Sequence, residues 1–372
     1  MGALLEKPIT VKETEKGERD DIRFAVSGMQ GWRPEMEDTH IAHLDICDLK
    51  DFAIFGVFDG HGGSFTSLYV QKHFMEVLRR QEHFQLYASL PAQSLRDHAI
   101  GLELLQSAML RTFLELDEDM IKNNGRLIIG EDGSHKVEKS GATACTIVVT
   151  PKHIMCVNAG DSRAIYRTGG YTVQLSFDHK PQADEERNRI EAAGGYVSMK
   201  RVDGDLAVSR GLGDFHYKSV AELPPDLQKV TCIPDFVLVD RNSHHDEFIL
   251  LACDGIWDVL SCRQCGFLIQ TIFDEGEEDI GLVVEELLDV CLDKQSKDNM
   301  TALLVALPSL RVGHGGGVAA RRDIRQARIA EEERKKKEKE HAKQKLKVEA
   351  EEVRRRLAAR AREREELDSD SD

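Results

Sequence analysis

Four aspartates stand beside glycine or asparagine at points where short apolar stretches end or begin. They are Asp59 before Gly60, Asp161 after Gly160, Asp254 before Gly255 and Asp298 before Asn299. Each pair alone is typical of a turn, because Asp, Asn and Gly are common turn residues. If the apolar stretches are strands of packed sheets, however, the four carboxylates converge at one edge and repel one another. Bound cations would relieve that repulsion.

The donor atoms at these positions indicate which cation to expect. Oxygen ligands without a set of Cys and His are typical of Mg²⁺ or Mn²⁺ sites. Two such ions about 3.5–4 Å apart can lower the pKa of a bound water and hold a phosphoryl group for in-line attack. Arg33, in the segment that continues to Glu37 and Asp38, adds a planar guanidinium that matches phosphate. The residues therefore favour metal-dependent phosphate chemistry.

These residues belong to a longer pattern. The chain resembles the metal-dependent Ser/Thr protein phosphatases of the protein phosphatase 2C family, with motifs in family order between residues 22 and 307. The motifs are Gly31-Trp32-Arg33 through Glu37-Asp38, Asp59-Gly60-His61-Gly62-Gly63, Ser140-Gly141-Ala142-Thr143-Ala144, Gly160-Asp161-Ser162-Arg163, Asp178-His179-Lys180-Pro181, Ala193-Gly194-Gly195, Leu206-Ala207-Val208-Ser209-Arg210 with Gly213-Asp214, Ala252-Cys253-Asp254-Gly255-Ile256-Trp257-Asp258 and Asp298-Asn299-Met300. So many ordered matches make the resemblance highly specific.

The resemblance implies two Mg²⁺ or Mn²⁺ ions in the active site. Asp59 is then the carboxylate that bridges both ions, and the Gly60 carbonyl binds the second. Asp254 and Asp298 are ligands of the first ion. An ordinary turn is the alternative for each of these positions.

Four more acidic residues have implied roles around these ions. Glu37 and Asp38 hold metal-bound waters, with a solvated acidic turn as the alternative. Asp161 and Asp258 bind a weaker third ion, with a supporting position beside the first two ions as the alternative.

The resemblance also implies a reaction. Arg33 binds the phosphate, and His61 is the general acid that protonates the leaving serine or threonine oxygen, a task suited to a side chain that titrates near neutrality. Water activated by the two metals attacks phosphorus directly, with no phosphoenzyme. A surface ion pair is the alternative for Arg33 and a structural role for His61. The expected substrates are phosphoproteins.

The site needs a scaffold, and the hydropathy pattern predicts one of class α+β. Short β-branched or aromatic stretches predict strands at Ile22–Val26, Phe52–Phe58, Ala144–Val149, Ile154–Val157, Ala164–Tyr166, Phe248–Leu251 and Ala302–Leu307. Apolar residues at helical spacing predict helices at Phe65–Arg80, Leu102–Met120, Glu185–Ala193 and Ile280–Cys291. The resemblance adds the arrangement: two stacked β-sheets flanked by helices on both outer faces (α-β-β-α), followed by a charged C-terminal tail.

Composition and charge exclude several classes of function. The 372 residues are 41% hydrophobic and 31% charged, which is a globular composition. Residues 1–317 hold 32 basic and 51 acidic residues, a net charge of −19 that would repel a nucleic-acid backbone, so no nucleic-acid partner is expected. No apolar stretch approaches the roughly 18 residues needed to cross a bilayer, and the N-terminus lacks the layout of a secretory signal. The eight cysteines are expected to be free thiols in a reducing compartment.

The sequence divides into four segments. Residues 1–20 predict an N-terminal arm, 21–308 the catalytic domain, 309–317 a Gly-rich linker and 318–372 a charged tail that is helical or disordered. The tail holds 18 basic and 15 acidic residues, and pairs such as Glu331 and Lys335 stabilise a solvated helix. A helix without a partner is one interpretation, and a tail that binds a protein partner is the other.

Gly2 is a candidate lipidation site. The N-terminus resembles that of some animal-type relatives that carry a myristoyl chain, although Glu6 replaces the usual Ser or Thr. One chain anchors only marginally, so membrane contact is expected to be weak at most. The basic residues Arg334–Lys337 offer a nuclear address. We expect a monomer in the cytoplasm, with the nucleus and transient membrane association as further locations.

Two other functions stay open from the sequence. A non-enzymatic family member would use the fold to bind a phosphoprotein or a regulator, but such proteins usually lose metal ligands that are all present here. A different metal-dependent phosphotransferase would explain the acidic residues but not the ordered motifs.

Overall fold

The computed structural model describes residues 4–19, 21–46, 49, 52–91, 93–124, 127–129 and 135–369. The chain divides into two units, Met1–Gly315 and Gly316–Asp372. The division falls within the predicted linker 309–317, and the second unit consists of one long helix. Gly2 lies outside the described residues.

Groups of strands and groups of helices follow one another along the first unit, and the strands are numbered in chain order. They are β1 (Ile9–Arg19), β2 (Ile22–Gly31), β3 (Thr39–His43), β4 (Ala53–Phe58), β5 (Gly60–His61), β6 (Leu127–Ile129), β7 (His135–Val137), β8 (Gly141–Ala142), β9 (Ala144–Val149), β10 (His153–Ala159), β11 (Arg163–Thr168), β12 (Tyr171–Gln174), β13 (Val197–Ser198), β14 (Arg201–Val202), β15 (Leu212–Gly213), β16 (Asp235–Asp240), β17 (Asp246–Ala252) and β18 (Met300–Ala306).

The helices are numbered in the same way. They are α1 (Phe65–Arg80), α2 (Glu82–Ser89), α3 (Gln93–Arg96), α4 (Ala99–Asn124), α5 (Asp184–Ala192), α6 (Asp254–Trp257), α7 (Cys262–Asp274), α8 (Ile280–Asp293) and α9 (Gly317–Ser369).

Two antiparallel sheets form the centre of the first unit. Within the described residues, one sheet has six strands in the order β1-β2-β18-β17-β11-β12, and the other has five in the order β16-β10-β9-β4-β3. Every residue of β4, β9 and β18 is buried, because these central strands are covered on both faces and carry apolar side chains on both. A smaller sheet, β15-β8-β5, lies at the end of β4.

Side chains of β4 alternate between two hydrophobic cores, as the period of a strand requires. Phe55 belongs to the core between the two sheets, together with Leu251 and Leu303 of the six-stranded sheet. Phe58 belongs to the core that joins the five-stranded sheet to helices α1, α2 and α4, where it contacts Phe74. On the opposite outer face, α8 packs against β2 and β18. The predicted α-β-β-α arrangement is therefore confirmed.

The prediction of an N-terminal arm over residues 1–20 is wrong for residues 9–19. They form β1, which pairs with β2 from Ile9 opposite Gly31 to Arg19 opposite Ile22. Most β1 side chains are exposed because this strand lies at the edge of the six-stranded sheet. An edge strand gains its stability from backbone pairing and can be polar, so it lacks the apolar alternation that the sequence analysis required.

The cysteines of the described residues are all free thiols, as predicted, and six of these seven are buried. Cys47 lies outside the described residues. In the described ranges, no helix combines the length and the apolar composition needed to cross a membrane.

Candidate metal centre

Strand ends from both sheets bring acidic residues together. Asp59 follows β4 of the five-stranded sheet, and Asp254 follows β17 of the six-stranded sheet after one intervening residue. The two sheets are stacked so that the backbone N–H of Asp254 lies 3.4 Å from Oδ2 of Asp59, across 195 residues of sequence. Asp161 follows β10, and Asp298 precedes β18. The predicted convergence at one end of the sandwich is present.

Two groups of side chains in the described residues have the spacing of metal ligands. One contains Asp59, Asp161 and Asp254, and the other contains Asp38, Asp59 and Cys253, with ligand atoms within 4.8 Å of one another in each group. Asp59 belongs to both groups, and it is the residue that the sequence assigned as a bridge. Cys253 is buried at 1% exposure, and its Sγ accepts a hydrogen bond from the Thr301 N–H.

The acidic residues repel one another strongly without a cation. Burial raises the pKa of Asp59 well above its ordinary value, and the charges of Asp254 and Asp38 raise it further. Burial also raises the pKa of Asp254 well above its ordinary value, with repulsion from Asp161 and Asp298. The pKa of Asp258 is raised chiefly by burial. These carboxylates therefore need a positive partner to stay ionised together at neutral pH.

Asp38 carries the observation that best fits a bound cation or a cation-bound water. Both of its carboxylate oxygens are buried, and neither accepts a hydrogen bond of good geometry from the described residues. Burial raises its pKa to about 6, although the side chains of Thr301 and Cys253 lie close enough to act to lower that pKa. Buried carboxylate oxygens without donors cost free energy, because they lose water and gain nothing in return. The all-oxygen donor set of Asp38, Asp59, Asp161 and Asp254 fits a hard ion such as Mg²⁺ or Mn²⁺.

The segment from Gln30 to Asp38 is held against the metal ligands by Asn299. Its Oδ1 accepts a hydrogen bond from the Glu37 N–H at 2.9 Å, and its Nδ2 donates to the carbonyls of Gln30 and Glu35 at 2.8 and 2.9 Å. Asn299 directly follows Asp298, so these bonds fix the Arg33-to-Asp38 segment relative to a metal-ligand candidate. The sequence motif contained Asn299, but its spacing gave no sign of this role.

Arg33 and Glu37 lie on this segment, but their side chains contact different residues. Arg33 Nη2 donates a 2.5 Å hydrogen bond to Asp298 Oδ2. Burial acts to lower the pKa of Arg33, but the carboxylates of Asp298, Asp254 and Asp59 raise it overall. Glu37 Oε1 accepts a hydrogen bond from the N–H of Gly63 at 2.7 Å and belongs to neither of the two ligand groups.

Gly60 is required by a close approach of two backbones. A Cβ at this position would collide with the carbonyl oxygen of Glu37 and lie 2.9 Å from Ser67 Oγ. The absence of a side chain lets β5 pass beside the Glu37 segment.

His61 lies beside the acidic cluster and is paired with a buried carboxylate. Its Nε2 lies 2.8 Å from Oδ2 of Asp214, whose side chain is 2% exposed. Burial acts to lower the pKa of His61, and the Asp214 charge raises it overall. The two residues are 153 positions apart in sequence, so the motif that contains Asp214 gave no sign of this contact.

A lysine that the sequence analysis gave no role also reaches the cluster. Lys180 Nζ donates to Asp161 Oδ2, and attraction to Asp161 raises the lysine pKa against the lowering effect of burial. Asp258 donates its backbone N–H to the Asp254 carbonyl at 2.8 Å. The charges of Lys180 and Asp161 also act on the pKa of Asp258, so Lys180 and Asp258 both lie on the Asp161 side of the site.

Comparison with known proteins identifies this architecture. The family model described as Protein phosphatase 2C matches residues 22–300. Protein phosphatase 1A of Mus musculus is 36% identical over 311 residues, which cover 83% of this chain and 77% of the relative. Protein phosphatase 1B of Bos taurus is 40% identical over 307 residues, which cover 82% of this chain and 60% of the relative.

Solved structures agree with the fold. A phosphatase from Toxoplasma gondii superimposes with a TM-score of 0.64 at 25% identity, covering 82% of this chain and 98% of the other. A serine-threonine phosphatase 2C from the same organism gives a TM-score of 0.65 at 23% identity, covering 80% of this chain and 100% of the other.

Proposed function

This chain belongs to the protein phosphatase 2C family, and on that premise we propose that it hydrolyses phosphoserine and phosphothreonine in proteins with water activated at two Mg²⁺ or Mn²⁺ ions. Membership of this family implies a metal-dependent protein Ser/Thr phosphatase that acts on phosphoproteins. The observation that carries the finer proposal is the group formed by Asp59, Asp161 and Asp254, with Asp38 buried beside it.

The residues divide into ligands and supports. Asp59 would be shared by both ions, with the Gly60 carbonyl on one and Asp254 and Asp298 on the other. Asp38 and Glu37 would hold waters, and Asp161 and Asp258 would bind a weaker third ion. When bound, the ions supply charge neutralisation and a water of lowered pKa for attack on phosphorus.

The protein side chains bind the substrate and move one proton. Arg33 would hold the phosphoryl oxygens with its guanidinium, which Asp298 anchors from one side. As the bond from phosphorus to the serine oxygen breaks, His61 would give that oxygen a proton. The products are inorganic phosphate and the free hydroxyl. No side chain forms a phosphorylated intermediate.

Cys253 is a nucleophilic side chain beside Asp38 and Asp59, and its surroundings argue against a covalent route. Burial raises its pKa well above the ordinary value, with the Asp38 and Asp59 charges adding to the rise. A thiol in this environment stays protonated and is a poor nucleophile. Direct attack by water therefore fits the site better.

The test is phosphate release from a phosphothreonine peptide by the full chain after metal removal. We expect activity to return with Mn²⁺ in the wild type and to stay absent in Asp59→Asn, which keeps the shape of the side chain but removes its charge. Metal-dependent activity that persists in Asp59→Asn would contradict the assignment. A folded wild-type protein that stays inactive with Mn²⁺ would favour the binding-only family member instead.

A further inference from the structure

The small sheet β5-β8-β15 brings His61 and Asp214 together over a glycine. His61 on β5 is the register partner of Gly141 on β8, and Gly213 on β15 is the partner of Gly141 from the other side. Asp214 directly follows Gly213. A Cβ on Gly141 would collide with both Asp214 Oδ2 and His61 Nε2. Because Gly141 has no side chain, the side chains of His61 and Asp214 can meet beside the middle strand.

The backbone that carries the Asp214 carboxylate is anchored by hydrogen bonds. The backbone N–H of Asp214 donates to the Ser140 carbonyl at 3.0 Å, and the N–H of Gly213 donates to Asp117 Oδ1 on α4 at 2.8 Å. Asp117 also accepts a hydrogen bond from Lys218 Nζ. Asp214 itself has a left-handed backbone with φ of 52°, which Asp and Asn tolerate better than other side chains.

The side chains of His61 and Asp214 differ in their exposure to solvent. The Asp214 side chain is 2% exposed, whereas that of His61 is 29% exposed. The imidazole thus lies between a buried carboxylate and the open side of the site. Because Nε2 is engaged by Asp214, Nδ1 is the ring nitrogen that stays outside the pair.

We propose that Asp214 is the positioning residue of the general acid: it fixes the His61 ring so that Nδ1 serves the leaving oxygen. This inference rests on the function proposed above. The proton moves from Nδ1 to the leaving oxygen as the phosphorus–oxygen bond breaks, and the ring becomes neutral with its remaining hydrogen on Nε2 bonded to Asp214. A proton from water restores Nδ1 before the next turnover. A buried carboxylate that fixes the orientation and tautomer of a catalytic histidine is a known device.

A structural role for Asp214 predicts a different outcome, and the choice of substrate separates the two. A serine or threonine alkoxide is a poor leaving group and needs a proton, so loss of the general acid slows its release. The nitrophenolate of p-nitrophenyl phosphate leaves without a proton. Damage to the fold or to the metals slows both substrates equally, whereas misplacement of His61 slows mainly the phosphopeptide.

The experiment compares wild type with Asp214→Asn in the full chain, with Mn²⁺, on a phosphothreonine peptide and on p-nitrophenyl phosphate. Asparagine keeps the size and the left-handed backbone but loses the charge. We expect kcat on the peptide to fall about 10- to 100-fold, with a change of less than roughly threefold on p-nitrophenyl phosphate. The matched control is Asp246→Asn, which removes a fully buried carboxylate bonded to Thr168 and the Asn242 N–H at the opposite end of β17 from Asp254. It should leave the ratio of the two activities unchanged.

Two further variants test the same pair. Gly141→Ala separates His61 from Asp214 without changing either, and we expect the same loss confined to the peptide. In a His61→Asn background, Asp214→Asn should cause no additional loss, because the two residues act as one unit. Equal losses on both substrates, no loss on either, or additive losses in the double variant would overturn the inference. Failure of the function itself is a different result, namely wild-type protein inactive on both substrates with Mn²⁺.

Discussion

Arg33 Nη2 donates a 2.5 Å hydrogen bond to Oδ2 of Asp298, although 265 residues separate the two in sequence. The Arg33 side chain is 40% exposed and that of Asp298 is 31% exposed, so the pair lies at the mouth of the acidic cluster. Asp298 is also a metal-ligand candidate. In the proposed mechanism this one carboxylate would serve both the guanidinium that binds phosphate and a cation, although Asp298 belongs to neither of the two ligand groups.

Because Arg33 contacts Asp298, Arg33→Ala should affect both the binding of the substrate phosphate and the binding of Mn²⁺. Loss of the guanidinium removes charge-assisted hydrogen bonds to phosphate, each worth about 1.5–3 kcal/mol, so kcat/KM on a phosphopeptide should fall about 10- to 100-fold. Loss of its competition for Asp298 should leave the Mn²⁺ concentration for half-maximal activity unchanged or lower. Steady-state kinetics over a Mn²⁺ titration measures both.

Arg33→Lys is the matched control, because it keeps the charge but not the planar fork. We expect its activity to lie between those of wild type and Arg33→Ala. A large rise in the Mn²⁺ requirement of Arg33→Ala would mean that the arginine supports the metal ligand rather than competing for it.

The buried carboxylates make the stability of the metal-free protein depend on pH. The pKa of Asp38 is raised to about 6, and those of Asp59 and Asp254 are raised well above their ordinary values. The unfolded chain loses these protons near pH 4, at roughly its ordinary pKa. The folded state thus holds more protons above pH ~4, and its free energy of unfolding falls as the pH rises through about 6 and beyond. Urea unfolding in EDTA between pH 5 and pH 8 measures the fall.

Removal of one carboxylate and addition of metal should both weaken this dependence. Asp59→Asn in EDTA should lose less stability between pH 5 and pH 8 than wild type, since titrations common to both proteins cancel in the comparison. Saturating Mn²⁺ should stabilise wild type at pH 8, by about 2.7 kcal/mol for one site at 100 times Kd. Metal-free stability that rises with pH, more steeply in wild type than in the variant, would contradict this account of the cluster.

Several of the strands that the sequence predicted lie in a uniformly buried environment. β4, β9 and β18 are buried along their whole length, so continuous apolar stretches in the sequence predict them. β1 and β16 were not predicted, because they lie at the edges of their sheets and carry exposed polar residues. Pairing with a neighbouring strand stabilises them, and the local hydropathy pattern does not show which strands pair.

The site, too, contains residues that the sequence could predict and contacts that it could not. Asp59 and Asp254 could be found because each follows a buried strand and because the motifs resemble a known family. The contacts of Asp214 with His61 and of Asn299 with Glu37 join residues more than 150 positions apart, so no local spacing predicts them. The supports of a site depend on how the sheets stack, whereas its ligands are marked by their own chemistry.

Asn299→Ala should loosen the segment that carries Arg33 and Glu37. The side chain is 5% exposed and makes three hydrogen bonds to that segment. Its loss leaves buried donors and acceptors without partners, at a cost of about 1–3 kcal/mol in the free energy of unfolding. Because the Glu37 segment moves with it, we expect the Mn²⁺ requirement to rise as well.

Asn242→Ala is the control for this substitution. Asn242 is exposed, and its Oδ1 accepts a hydrogen bond from the neighbouring His244 N–H, so its replacement should cost less than about 0.5 kcal/mol. Equal destabilisation by the two variants, or an unchanged Mn²⁺ requirement in Asn299→Ala, would show that the asparagine does not hold the segment in place.

Removal of residues 316–372 should leave the chemistry intact and affect only what the tail binds. The candidate site residues, from Arg33 to Asp298, belong to the first unit. Helix α9 is exposed over residues 326–359 and carries exposed Leu346, Val353 and Leu357 at spacings of seven and four, so these side chains lie along one stripe of the helix. We expect kcat and KM on a short phosphopeptide to stay within about twofold of the full chain, since a substrate of this size needs only the site.

We also expect protein partners captured by the full chain to be lost by the truncated chain and by a full-length variant with Leu346, Val353 and Leu357 changed to Ser. A severalfold rise in activity on truncation would instead identify the tail as an inhibitor of the site.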